Sequence, residues 1–187
     1  ENQLVWIGWP GGTIAEGDRG EVERRLREEH GCLPVFLEKK QAEGFYDGFA
    51  NSSVWPMLHY MTWLMRYEEG WWEAYRDANR KFAEKALSVA EEGDLVWVHD
   101  YQLMLAPEIL KRERPGLRVG FFLHTPFPSY EVFRCHPKRR ALLEGMLGAD
   151  LVGFHTFGYL RHFRSAVVRI LGMEPEIMHV RHGSHRT

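Results

Sequence analysis

Two short apolar runs, Leu95 to Asp100 (LVWVHD) and Val119 to Pro128 (VGFFLHTPFP), stop abruptly on polar and ring residues. No other feature constrains the fold of this chain as tightly. Runs of this length with little polar alternation suit strands buried on both faces, as in parallel sheets. Such a strand has no packing reason to end on His and Asp unless its tip lines something. In open parallel sheets the side chains at the carboxyl ends of the strands project into the crevice above the sheet, where ligands bind. Asp100 and His124 are therefore the first candidates for chemistry.

The rest of the chain repeats the alternation of short strands and longer helices that builds a parallel sheet covered by helices. Val5–Gly8, Leu33–Phe36, Leu95–Val98, Leu117–Leu123, Leu151–Phe154 and Ile177–Val180 read as strands. Tyr75–Ala90 carries Phe82, Ala86, Leu87 and Ala90 on one face and reads as a helix that ends at Glu91, Glu92 and Gly93. Leu103–Lys111, Arg139–Leu147 and Tyr159–Leu171 are further helices, the last stopped by Gly172. Asp100 thus sits where a strand tip meets a helix N-terminus, and Asp is also a favoured N-cap, a role compatible with ligand contact. Gly11, Gly12, Gly17 and Gly20 do not form GxGxxG after a strand and read as turn glycines in an early loop. The fold class expected is α/β.

At 187 residues and 44% hydrophobic, the chain suits one domain of ordinary size with a full core. A formal net charge of -2, with Lys and Arg scattered among acids, offers no basic field for nucleic acid or a membrane surface. The longest apolar runs fall far short of the roughly 20 residues that span a bilayer, and the N-terminus lacks a signal-peptide layout, so a cytoplasmic location is expected. Cys32 and Cys135 lie far apart without CxxC spacing, and they read as reduced thiols rather than a disulfide or zinc site. His179, His182 and His185 fall within HVRHGSHRT. Gly183 and Ser184 argue against a helix that would align them, and no carboxylate or cysteine joins them, so the reading is a solvated tail and no metal site. The chain opens almost directly on a strand and closes on this aperiodic stretch, so a fragment truncated at both ends is expected.

Phe45 to Tyr60 (FYDGFANSSVWPMLHY) is harder to explain as packing. Tyr46, Phe49, Trp55, His59 and Tyr60 concentrate ring surface between Gly-, Asn- and Ser-containing turns. Aromatic faces stack on the apolar C–H groups of sugar rings, yet Tyr and Trp serve equally well in a core cluster, and spacing alone leaves both readings open.

Taken together, GWPG (Gly8–Gly11), FYDGFANSSVWPMLHY, WVHDYQLMLAPEIL (Trp97–Leu110), GFFLHTPFPSYEVFR (Gly120–Arg134) and DLVGFHTFGYLRHF (Asp150–Phe163) closely resemble the trehalose-6-phosphate synthases of glycosyltransferase family 20. These retaining enzymes join glucose from UDP-glucose to glucose 6-phosphate. The resemblance covers nearly the whole chain, with several motifs in the right order. It implies a GT-B enzyme of two Rossmann-like domains facing each other across a cleft, of which residues 1–187 are most of the first, acceptor-side domain. The nucleotide-sugar domain that would complete the cleft is missing from the chain.

By that resemblance Trp9, Tyr46 and Trp55 match residues that hold glucose 6-phosphate, Asp100 matches the acid that binds acceptor hydroxyls, and His124 matches the histidine that reaches the donor glucose near the reacting carbon. The implied partners are these two small molecules and the second domain; homo-oligomers are compatible with it, and no cofactor or metal is implied. The family's N-terminal strand leading to a phosphate-gripping arginine, its following Gly-rich loop, and the Arg and Lys that steady the diphosphate are all absent from this chain. The expectation is that the chain alone is inactive. Two alternatives stand beside synthase function. One is a glucosylglycerol-phosphate synthase of the same family, for which Tyr46 and Trp55 would have less to stack against. The other is a non-catalytic subunit that senses glucose 6-phosphate within a trehalose synthase complex.

Overall fold

A computed structural model describes residues 4–173. The expected strand Ile177–Val180 and the histidines His179, His182 and His185 lie outside the described residues. Five strands are present: β1 (Trp6–Gly8), β2 (Cys32–Pro34), β3 (Leu95–His99), β4 (Arg118–Leu123) and β5 (Leu151–Phe154). All pairings are parallel, as expected, but β3 is not buried on both faces: Leu95, Trp97 and His99 on one face are exposed. The strands are distributed over two short sheets, β1-β2 and β3-β4-β5, rather than one.

Helices cover both sheets. The early loop is shorter than the sequence reading made it, because α1 (Arg19–His30) begins at its last glycines. None of its residues is buried. It is held by ion pairs one turn apart, Arg24 to Glu21 and Glu28, and closed by Gly31 in the left-handed conformation. With so little apolar periodicity, α1 gives no sequence signal of the usual kind. The larger correction concerns residues 45–60. The expected turns are a continuous helical run: α2 (Lys39–Ala42), a π-helical stretch (Glu43–Val54) and α3 (Trp55–Leu58).

That run packs on α4 (Glu69–Leu87) through fully buried Phe49, whose ring lies 4.4 Å from Tyr75 and 5.1 Å from Trp72. Burial of each such ring contributes about 2–3 kcal/mol. Gly44 and Gly48 permit the close approach: a Cβ on Gly48 would lie 2.6 Å from the Trp71 ring. The remaining helices are α5 (Ala106–Glu113), α6 (Tyr130–Phe133), α7 (Arg139–Leu147) and α8 (Phe157–Ala166), the last continued by a π turn to Leu171. Cys32 and Cys135 are free thiols, and among the described residues no helix is long and apolar enough to cross a membrane.

Candidate functional site

Asp100 follows β3, and its backbone N–H extends the ladder one step further by donating to Phe122 O at 2.8 Å. The chain then turns sharply. Asp100 has φ 67° and ψ 174°, a region that suits glycine and costs a residue with a Cβ roughly 1–3 kcal/mol. The strained turn is held from beneath by α4. Tyr75 donates its hydroxyl hydrogen to Tyr101 O at 2.7 Å and accepts from Met104 N–H. Asn79, fully buried, donates to Gln102 O and accepts from the N–H groups of Leu105 and Ala106. These bonds satisfy the backbone groups that begin α5, so Asp100 is not needed as a cap, and no side-chain cap is made there. Its carboxylate is free for another use.

One carboxylate oxygen, Oδ1, accepts the backbone N–H of His124 at 3.2 Å. Among the described residues the other oxygen accepts nothing and is available to a ligand hydroxyl. The two strand-tip residues singled out from the sequence are thus in direct contact. His124 is exposed, and its ring meets two further histidines: His99 Nδ1 lies 3.0 Å from its Nε2, and the His155 ring centroid is 5.6 Å away. Burial, and after it the neighbouring His124, hold His99 below the ordinary histidine range against an opposing pull from Asp100.

The π-helical stretch supplies the ring residues. Its burial repeats every four to five residues: Phe45, Phe49 and Val54 face the core, while Tyr46, Asn51 and Trp55 lie on the more open side. Tyr46 and Trp55 are nine residues apart. At about 3.6 residues per turn, nine residues make two and a half turns and would point these side chains in opposite directions. With i→i+5 bonding there are roughly 4.4 residues per turn, and nine residues bring them back to one side. The bond from Trp55 N–H to Ala50 O is of this wider kind. Tyr46 lies against Trp9, ring centroids 5.5 Å apart, and Trp55 stacks on His59 at 4.1 Å.

A single side-chain hydrogen bond ties this helix to the strand tip: Tyr101 donates its hydroxyl hydrogen to Asn51 Oδ1 at 2.8 Å. The Tyr101 hydroxyl pKa is pushed up to about 12, by burial first and then by the nearby Tyr46 and Asp100. Trp9 and Tyr46 touch each other and Asp100 touches His124, and the Asn51–Tyr101 bond links the helix carrying Tyr46 and Trp55 to the residue beside Asp100, so the two clusters form one group through it. Asn51, Tyr101, His99 and His155 belong to the group and were missed from sequence. Tyr101 and His99 flank Asp100 directly, and that adjacency was the available signal. Two polar atoms here are buried without a partner among the described residues, Trp9 Nε1 and Thr125 Oγ1. The described residues hold no cluster of three or more His, Cys, Asp or Glu able to bind a metal ion. Partly exposed rings and a free carboxylate oxygen suit the hydroxyls and apolar C–H faces of a sugar, held by hydrogen bonds and stacking.

Comparison with known proteins gives consistent relationships. The model of glycosyltransferase family 20 matches residues 1–186. An Aspergillus niger protein named alpha,alpha-trehalose-phosphate synthase [UDP-forming] 2 is 50% identical over 173 residues, covering 90% of this chain and 36% of its own length. Among solved structures, the N-terminal domain of a Candida albicans trehalose-6-phosphate phosphatase superposes with a TM-score of 0.79 at 38% identity, covering 91% of this chain and 36% of that one. A Burkholderia xenovorans alpha,alpha-trehalose-phosphate synthase in complex with glucose-6-phosphate superposes with a TM-score of 0.76 at 31% identity, covering 88% and 36%. The chain thus spans about a third of the length of each relative.

Proposed function

The chain belongs to glycosyltransferase family 20, and from that premise we propose that it forms the acceptor side of a UDP-forming trehalose-phosphate synthase. In that role it binds glucose 6-phosphate and presents one hydroxyl to the anomeric carbon of UDP-glucose. The observation that carries this reading is the Asn51–Tyr101 hydrogen bond, which joins the helix face bearing Tyr46 and Trp55 to the strand tip bearing Asp100 and His124. In this reading the bond brings rings that stack on the sugar and a carboxylate that takes its hydroxyls to one surface. The relatives support it: one is named UDP-forming and another was solved with glucose-6-phosphate.

Within this scheme the residues act by position. Asp100 Oδ2 accepts from acceptor hydroxyls, and a charged acceptor makes a hydrogen bond roughly twice as strong as a neutral one. Trp9, Tyr46 and Trp55 cover the apolar faces of the sugar. His124 is placed at the donor glucose. A double displacement with retention would call for a second carboxylate about 5 Å from the first across the bond. Asp100 is the carboxylate at the strand tips, and this supports a front-face route. The acceptor proton then passes to the departing diphosphate while the protein contributes orientation and charge stabilisation. Apart from His124, the residues that hold the sugar nucleotide lie mainly in a second domain in this reading, so the isolated chain has no synthase activity, and the protein acts in the cytoplasm.

The test is calorimetric titration of the chain with glucose 6-phosphate, and with glycerol 3-phosphate and UDP-glucose in parallel. Heat with glucose 6-phosphate alone is the expected result. Selective binding of glycerol 3-phosphate would move the assignment to glucosylglycerol-phosphate synthesis. A second reading, a sensor of glucose 6-phosphate without transfer activity, is favoured by one finding: the structure with a TM-score of 0.79 is a domain of a phosphatase. Trehalose 6-phosphate formation by the whole protein would reject it.

A further inference from the structure

β3 closes on His99 and is followed by Asp100, and both residues reach His124. Asp100 Oδ1 takes its backbone N–H at 3.2 Å, and His99 Nδ1 meets its ring at Nε2, 3.0 Å away. Successive residues of a strand point to opposite faces, so His99 and Asp100 could not ordinarily serve one neighbour. The left-handed turn at Asp100 makes it possible by swinging the carboxylate back toward β4. The two ring planes are inclined by 30°, with centroids 5.2 Å apart. A contact of 3.0 Å between two ring nitrogens requires one proton between them. One histidine must hold N–H at that position and the other a lone pair.

We propose that His99 is a positioning residue for His124: by engaging Nε2 it locks the imidazole in one tautomer and one rotamer, and leaves Nδ1 as the nitrogen offered to the ligand. The functional meaning rests on the place given to His124 in the proposed transfer; the coupling itself does not. Two features of the surroundings bear on it. Phe122 packs against the His124 ring at 4.7 Å and His155 stands beyond it at 5.6 Å, so the ring is braced on its other sides by contacts without a hydrogen bond. His99 has its own support in Trp97, 6.3 Å away on the same strand face.

The test is long-range ¹H–¹⁵N correlation of the histidine rings in this chain at pH 7.5, with His99→Phe and His99→Asn variants and no substrate present. Asn places an amide group where Nδ1 of histidine lies, whereas Phe keeps the ring and removes the nitrogen. The expected spectrum shows His124 in a single tautomer with an N–H···N coupling to His99. In His99→Phe that coupling is lost and the His124 shifts move to the average of two tautomers, while His99→Asn retains one tautomer. Unchanged signals of His59, His136 and His162 certify the fold. His124 shifts identical in the wild type and His99→Phe would overturn the proposal. Because the readout needs no acceptor, donor or turnover, failure of the coupling is distinguishable from failure of the proposed reaction.

Discussion

His136 makes the fold sensitive to acid, by an amount that follows from its surroundings. Its ring is fully buried, edge-on to Phe49 at 5.4 Å. Nδ1 accepts the Lys138 backbone N–H at 3.1 Å, so the single proton of the neutral ring sits on Nε2 and is donated to Ser53 Oγ at 3.0 Å. Adding a proton to Nδ1 breaks the first bond and buries a cation, with Arg139 and Lys138 adding to the repulsion. Burial first, then those two charges, depress the pKa to about 4. The unfolded chain titrates near the ordinary value of about 6.5, so between these values it binds more protons than the folded one. Stability is fully present above about pH 6.5 and falls as the pH drops toward 4, by about 3 kcal/mol in all. With a urea slope of about 2 kcal/mol/M, the midpoint falls by about 1.5 M.

The chain carries ten histidines and 26 acidic residues that also titrate, so a second chain isolates the effect. His136→Gln keeps a donor near Ser53 and stays neutral throughout. Urea unfolding followed by tryptophan fluorescence at pH 7.5 and pH 4 should show the wild type losing about 3 kcal/mol more than His136→Gln. Parallel losses in the two chains would refute the burial argument. The consequence reaches the site, since Ser53 belongs to the π-helical stretch that carries Tyr46 and ends at Trp55.

Other substitutions test separate parts of the structure. Asp100→Gly and Asp100→Ala both delete the carboxylate, but only glycine relieves the left-handed backbone; the Gly variant should melt higher by the equivalent of about 1 kcal/mol while neither binds acceptor, and equal melting points would remove the strain. Trp55→Ala should weaken glucose 6-phosphate binding by at least about tenfold, or 1.4 kcal/mol, and also lower the thermal midpoint, because the ring is partly buried against the core; a lowered midpoint with unchanged affinity would make Trp55 a packing residue alone. Gly148→Ala places a Cβ 2.2 Å from the Glu108 Cα, a backbone atom that cannot step aside, and should cost about 2–3 kcal/mol in urea unfolding; a cost under about 0.5 kcal/mol would contradict the packing of α5 on the end of α7.

What the sequence made legible depended on whether a segment carried one of the two usual periods. Leu151–Phe154 is a short apolar run, and it is a strand at the expected residues; Arg139–Leu147 is a helix with the expected ends. Asp100 and His124 could be found because polar residues closing an apolar run have few explanations, and the structure joins them. α1 was invisible for the opposite reason: with every residue at least partly exposed, it has no apolar stripe to read.

The stretch from Phe45 to Tyr60 failed for a reason that bears on function. Its apolar residues Phe45, Phe49 and Val54 recur at intervals of four and then five, which matches neither the helix period of about 3.6 nor the strand period of two, so the segment read as turns. A π-helix satisfies that spacing but is poorly packed along its axis and is found mostly at functional sites. Here its use is visible in the two ring residues. An α-helix carrying Phe45, Phe49 and the rest of the buried face would send Tyr46 and Trp55 to opposite sides, and one of them would leave the surface proposed to bind the acceptor. The wider winding keeps the core face continuous against α4 and returns both rings to the side where Tyr101 meets Asn51. The irregular period that hid the helix from sequence analysis is the same property that brings Tyr46 and Trp55 to one side of the proposed site.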